Sequence, residues 1–141
     1  MKRTILSAFL LSLFFCLGAQ TVKLEIRNIK TIKGSIQLMF YKNAESFDND
    51  CPFMIKRFPK DSINDGCVTL SIYLPKGEYG IILLDDENDS EEMENNILGL
   101  PKEGFGFAGY HHRGLRRPSY EAFKFRLEGG VKKMGLRVRY L

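Results

Sequence analysis

The stretch VKLEIR at residues 22–27 alternates apolar and charged residues without a break. Successive side chains of a β-strand point to opposite faces of the sheet, so this alternation predicts a strand with one buried and one solvated face. The same pattern returns in SIQLMFY at residues 35–41 and in CVTLSIYL at residues 67–74. These three stretches decide the class of the fold, because none of them has the spacing of an amphipathic helix.

Further strands are predicted on either side of these stretches. Residues 79–84 are nearly all apolar, as is typical of a central strand, and residues 53–58 form a weaker candidate. Apolar and charged residues alternate again over residues 123–128 and 136–140. Between these last two strands, Gly129-Gly130 has the length and composition of a hairpin turn.

The size and composition of the chain agree with a single packed domain. It has 141 residues, of which 44% are apolar and 27% charged, and this excludes a disordered tail and a membrane bundle. Seven short strands separated by Gly and Pro turns, with no amphipathic helix of useful length, predict an all-β protein. We therefore expect a single-domain antiparallel β-sandwich of about seven strands.

The N-terminus has the three parts of a secretory signal peptide. Lys2 and Arg3 precede an apolar or small stretch at residues 5–17, and Gly18-Ala19 offers a cleavage site. As a helix this stretch would cover only about 20 Å, less than the roughly 30 Å hydrocarbon core of a bilayer. We predict a signal peptide at residues 1–19 and a β-sandwich domain at residues 20–141. The mature protein would be periplasmic or extracellular, without a membrane span.

Removal of the signal peptide leaves two cysteines, Cys51 and Cys67. In an oxidising compartment such a pair favours a disulfide, which would contribute roughly 3 kcal/mol in the chain-entropy model. Two unpaired thiols are the alternative that the spacing leaves open.

One long segment interrupts the regular spacing of strands. Residues 85–121 contain no clear strand, and loops of this length in compact domains are usually functional or disordered. The segment is dense in Gly, Pro and aromatic residues, so we predict a structured loop and look for function there. GFGFAG at residues 104–109 has the spacing of a dinucleotide-binding turn but lacks the flanking strand and helix, which indicates a packed loop instead.

Five stretches carry a resemblance to a known family. They are LDDEN at 84–88, NILGLPKEGFGF at 96–107, RPSYEAFKF at 117–125, GSIQL at 34–38 and LPKGEY at 74–79. Over essentially all of its mature part the sequence resembles the exported bacterial family catalogued as domain of unknown function 2141. The resemblance implies a small exported β-sandwich with a transthyretin-like or immunoglobulin-like Greek key, and no assigned activity.

The same resemblance implies a calcium loop, since family members often carry a run rich in Asn, Asp and Gly after Asp-Glu-Asn. Oxygen ligands at alternate positions of such a loop would bind calcium. The alternate set in this chain is Asp86, Asn88, Ser90, Glu92 and Glu94. Glu91 stands where the sharp turn favours Gly, and Ile97 where a bidentate Glu is usual. A solvated acidic loop is the alternative, because seven of the 17 acidic residues lie within residues 85–94.

A basic and aromatic stretch, YHHRGLRR at residues 110–117, is the second candidate site. Clustered Arg and His side chains bind phosphate, sulfate or carboxylate, which gives an anion-binding set of His112, Arg113, Arg116 and Arg117. Alternatively this stretch is solvated or folds back on the acidic loop. Nucleic acid is not expected, because the formal net charge is only +4 and falls by two when Lys2 and Arg3 are removed.

No catalytic constellation is evident, since nothing places a carboxylate behind His112 to activate Ser119 as a nucleophile. We therefore expect a binding or structural module, not an enzyme, that acts through its 85–121 loop. The alternative is a calcium-dependent accessory or carrier domain that binds an anionic small molecule or glycan. Calcium is the one cofactor that the sequence suggests.

Overall fold

The computed structural model describes residues 20–141, and the predicted signal peptide lies outside the described residues. Eight strands and two short helices follow one another along this part of the chain. They are β1 (Gln20–Arg27), β2 (Ser35–Tyr41), α1 (Ala44–Asp48), β3 (Met54–Pro59), β4 (Val68–Leu74), β5 (Gly77–Asp86), β6 (Gly104–Phe107), α2 (Tyr120–Phe123), β7 (Phe125–Leu127) and β8 (Val131–Arg137). Within residues 20–141, no helix is long and apolar enough to cross a membrane.

The strands form two sheets that pack face to face. The smaller sheet has the order β4-β1-β8, and the larger has the order β3-β2-β5-β6, with β7 pairing to β5 beyond the end of β6. This arrangement confirms the predicted all-β sandwich. One pair departs from the antiparallel expectation, because β8 runs parallel to β1.

The Gly129-Gly130 turn explains this departure. β7 pairs with β5 in the larger sheet, whereas β8 pairs with β1 in the smaller one. The predicted hairpin is therefore wrong: the two glycines carry the chain from one sheet to the other, and Gly130 adopts the left-handed φ of 67° that this turn requires.

The main core lies between the sheets and follows the alternation that the sequence predicts. Val22, Leu24 and Ile26 of β1 are fully buried, while Lys23 and Glu25 face solvent. The larger sheet is also covered on its outer face, by an aromatic cluster of Tyr41, Phe47, Ile82, Phe105, Phe107, Tyr120 and Phe123. Because both faces of this sheet are buried, residues 79–84 are almost entirely apolar.

β6 lies inside the segment that was predicted to hold no strand. Gly104 and Gly106 weaken the strand pattern, since glycine has a low β propensity. The structure shows why glycine stands at the second position: a Cβ on Gly106 would lie 2.5 Å from Leu136 Cδ2 and 3.0 Å from Arg137 O. The end of β8 passes too close to β6 for a larger residue at position 106.

The predicted disulfide between Cys51 and Cys67 is not formed. Both cysteines are exposed free thiols, with Cys51 before β3 and Cys67 beyond its other end. The six residues of β3 span about 20 Å when extended, whereas a disulfide requires Cα atoms within about 7 Å. The extended strand therefore keeps the two thiols apart.

Candidate functional site

The segment between β5 and α2 lies over the outer face of the larger sheet, and Asp86 fixes its start. The Asp86 side chain is fully buried. Its Oδ1 accepts a hydrogen bond from the Ser90 amide at 2.9 Å, and its Oδ2 accepts one from the Glu91 amide, also at 2.9 Å. The Asp86 carboxylate thus holds the start of the loop in place by accepting hydrogen bonds from the loop backbone.

Arg57 on β3 is the counter-ion of this acidic loop. One of its guanidinium nitrogens lies 2.7 Å from Asp86 Oδ2 and 3.4 Å from Asp89 Oδ1, and the other lies 2.6 Å from Glu91 Oε1. The guanidinium also donates to Ser35 Oγ at 2.8 Å. Arg57, on a strand that β2 separates from β5, therefore binds three carboxylates of the loop and reduces their mutual repulsion.

The predicted calcium ligands are linked by hydrogen bonds to one another and to the backbone of the loop. Asn88 Oδ1 accepts from the Ser90 amide, Ser90 Oγ donates to the Glu92 carbonyl, and Glu94 accepts from the Asn88 side chain. In the part of the chain that the structure describes, no group of three or more His, Cys, Asp or Glu side chains could hold a metal ion. Asp86 Oδ1 shares the Ser90 amide with Asn88 Oδ1, while Asp86 Oδ2 binds Arg57 and the Glu91 amide.

The basic stretch does not fold back on the acidic loop. Arg117 pairs with Asp50 at 2.7 Å, donates to the Phe47 carbonyl at 2.7 Å, and stacks over the Phe47 ring. Arg113 and Arg116 are exposed, and neither forms an ion pair with any of the described residues. Arg57, and not the basic stretch, therefore pairs with Asp86, Asp89 and Glu91 of the acidic loop.

A pocket of about 260 Å³ lies between the outer face of the sheet and the long segment. Its apolar floor is formed by Met39, Tyr41, Ile82, Phe105 and Phe107. Residues of the 93–101 and 112–118 stretches form its walls, together with Leu141. The pocket brings together three members of the predicted anion-binding set, His112, Arg116 and Arg117.

The fourth member, Arg113, lies outside this pocket. It lines a shallow, open groove with Lys30, Arg137 and Arg139, and His112 borders this groove as well. His112 therefore stands between an apolar pocket and a strongly basic surface.

His112 is the residue of the site that its surroundings leave unsatisfied. Its ring packs edge-on against Phe107, with centroids 5.8 Å apart, and lies 5.9 Å from the Tyr110 ring. Both ring nitrogens are buried, and neither has a hydrogen-bond partner within residues 20–141. A buried polar atom without a partner costs about 1–3 kcal/mol, so these two nitrogens make His112 a costly residue at this place in the fold.

The sequence identified the basic residues near the pocket. It did not identify the apolar residues of the pocket floor, or Arg57 as the counter-ion of the acidic loop. The floor depends on which face of β2, β5 and β6 the long segment covers. Arg57 is separated from Asp86 along the chain, and the β2–β3 and β2–β5 registers alone bring the two together. In the sequence, Arg57 is an ordinary charged residue of a strand, and nothing in the pattern indicates that it binds Asp86.

Comparison with known proteins gives one match. No curated protein and no solved structure matches the chain. The sequence model of a family described as an uncharacterized protein conserved in bacteria matches residues 24–134, which is well over half of the chain. The chain therefore belongs to the bacterial family catalogued as domain of unknown function 2141.

Proposed function

We propose that this protein is an exported binding module that holds a small anionic molecule with an apolar body in the pocket beneath its 85–121 loop. The observation that carries the proposal is the pair of buried, unpartnered ring nitrogens of His112 in the pocket wall. Rotation of the His112 side chain would bring a ring N–H to the pocket, where a carboxylate or sulfonate of the ligand would accept its hydrogen bond.

The lining of the pocket suits the apolar body of this ligand. Aromatic and aliphatic side chains form the floor and would bury an apolar ring or a short chain. The volume of about 260 Å³ is at the small end for ligand sites, so the apolar body is small.

The charged group of the ligand belongs at the mouth of the pocket. Arg116 lines the mouth without an ion pair among the described residues, and a guanidinium binds a carboxylate with two parallel hydrogen bonds. Arg117 is already paired with Asp50, so we assign Arg116 the larger part in binding the anion.

Calorimetric titration with octanoate, which joins a short apolar chain to a carboxylate, tests the proposal. We expect saturable binding of octanoate and much weaker binding of octanol. Arg116→Ala should weaken binding about tenfold or more, the cost of losing a hydrogen bond between charged groups. Arg113→Ala is the matched control, because Arg113 lies outside the pocket and should retain wild-type affinity. Equal effects of the two substitutions, or no saturable binding, would refute the proposal.

Export is supported by the N-terminal sequence, with its positive start, apolar stretch and small residues before Gln20. We expect the purified protein from the native host to begin at Gln20 and to fractionate outside the cytoplasm. N-terminal sequencing of the fractionated protein decides this, and an intact Met1 on cytoplasmic protein would contradict it.

A further inference from the structure

A second unusual group lies inside the sandwich, on the opposite side of the larger sheet from the pocket. Lys60 follows β3 and Asp85 lies on β5, and their side chains are 1% and 0% exposed. The Lys60 ammonium contacts Asp85 Oδ1, and the Tyr140 hydroxyl donates a hydrogen bond to Asp85 Oδ2. These three groups fill one end of the space between the sheets.

The surroundings of Lys60 and Asp85 offer too few hydrogen-bond partners for a buried ion pair. An ammonium carries three N–H donors, yet apart from the Asp85 contact no hydrogen-bond acceptor in the described chain reaches Lys60 Nζ. Asp85 Oδ1 likewise has no other partner. Burying a charged pair whose remaining donors are unsatisfied is costly. An amide nitrogen at the same place would carry one N–H and no charge.

We propose that Lys60 and Asp85 condense to an intramolecular isopeptide bond. A proton first passes from the Lys60 ammonium to Asp85 Oδ1, which leaves a neutral amine beside a neutral carboxyl group. The nitrogen lone pair forms a bond to Asp85 Cγ. A second proton moves from nitrogen to Oδ1, the Cγ–Oδ1 bond breaks, and one water leaves. Oδ2 stays as the amide carbonyl oxygen, and no oxidant or cofactor is consumed.

Tyr140 is placed to assist this step. Its O–H donates to Oδ2, the oxygen on which negative charge develops when nitrogen attacks Cγ. The Lys30 amide donates to the Tyr140 oxygen at 3.0 Å, which leaves the Tyr140 proton directed at Asp85. Gly104 makes room for the ring, because a Cβ there would lie 2.5 Å from a Tyr140 ring carbon. Tyr140 therefore serves as a hydrogen-bond donor to the reacting carbonyl.

The bond would join the end of an edge strand to a central strand. β3 is at the edge of the larger sheet, and β2 separates it from β5. A covalent link from Lys60 to Asp85 would hold β3 in place when its hydrogen bonds to β2 open. A covalent link of this kind would benefit an exported protein, because such a protein meets proteases and cannot be repaired.

Intact-mass spectrometry of the purified, denatured full chain tests the proposal. The wild type should weigh about 18 Da, one water, less than its sequence requires. A proteolytic digest should contain a branched peptide that joins Lys60 to Asp85. Lys60→Met should restore the sequence mass, and Tyr140→Phe should lower the cross-linked fraction at harvest.

Lys124→Met is the matched control, since Lys124 pairs with Glu121 at 2.7 Å on the exposed surface and should not affect the mass deficit. A wild-type mass equal to the sequence mass would overturn the proposal. So would a deficit that persists in Lys60→Met, because it would then arise elsewhere in the chain. If Lys60→Met does not fold, the wild-type digest decides alone: the branched peptide supports the bond, and separate Lys60 and Asp85 peptides refute it.

Discussion

Replacing Asp86 with Ala should destabilise the protein strongly, because three groups depend on this one buried carboxylate. Its oxygens accept from the Ser90 and Glu91 amides, each at 2.9 Å, and from Arg57 at 2.7 Å. Removing one partner from a buried charge pair costs roughly 3–5 kcal/mol. We therefore expect Asp86→Ala to lower the free energy of unfolding by this amount, a large share of the stability of an ordinary domain.

Urea unfolding followed by circular dichroism measures the loss, and native-state hydrogen exchange locates it. The Ser90 and Glu91 amides should exchange much faster in Asp86→Ala than in the wild type. Asp89→Asn is the control: the Asp89 side chain is 65% exposed, its 3.4 Å contact with Arg57 is weak, and Asn tolerates the left-handed φ of 53° at this position, so the substitution should cost less than about 1 kcal/mol. Comparable losses for the two variants would refute the assignment of Asp86 as the anchor of the loop.

Three other predictions concern the loop and the core. Millimolar calcium should leave the melting temperature equal to that in chelator, and a clear calcium-dependent rise would show a site that the loop assembles only with the ion. Burial raises the pKa of Tyr120 to about 12, so the protein should lose stability as the pH rises from 10 towards 12, because the phenol ionises more readily in the unfolded chain. Tyr120→Phe should flatten this part of the stability profile without loss at pH 7, since the hydroxyl is buried without a partner in the described chain. Gly106→Ala should cost about 1–3 kcal/mol by overpacking against Leu136. Gly135→Ala, where a Cβ meets nothing within 4 Å, should cost far less in the same urea titration.

The sequence predicted the sandwich because alternation reports which strand face is buried. It missed β6, where Gly104 and Gly106 are required by the close passage of the end of β8 and the residues after it, and not by the strand itself. In the acidic loop, Glu91 adopts a left-handed φ of 66° although it is not glycine, which the sequence did not predict. The sequence could not show that Asp86 at the start of this turn faces Arg57.

The basic part of the site was predictable because its residues are neighbours in the chain. His112, Arg116 and Arg117 lie within one short stretch, and the structure keeps them together at the pocket. The buried group of Lys60, Asp85 and Tyr140 was not predictable, because its members come from three distant parts of the chain. Only the sheet registers and the course of the last residues bring them into contact.

The central claim is that His112 serves a ligand and not the fold, and His112→Phe tests it most directly. Phe keeps an aromatic ring against Phe107 but removes the two unpartnered nitrogens. Calorimetric titration with octanoate and urea unfolding should be measured on the same two proteins. We predict that affinity falls about tenfold or more, while the free energy of unfolding stays equal or rises by about 1 kcal/mol. Unchanged affinity together with a loss of stability would contradict the account.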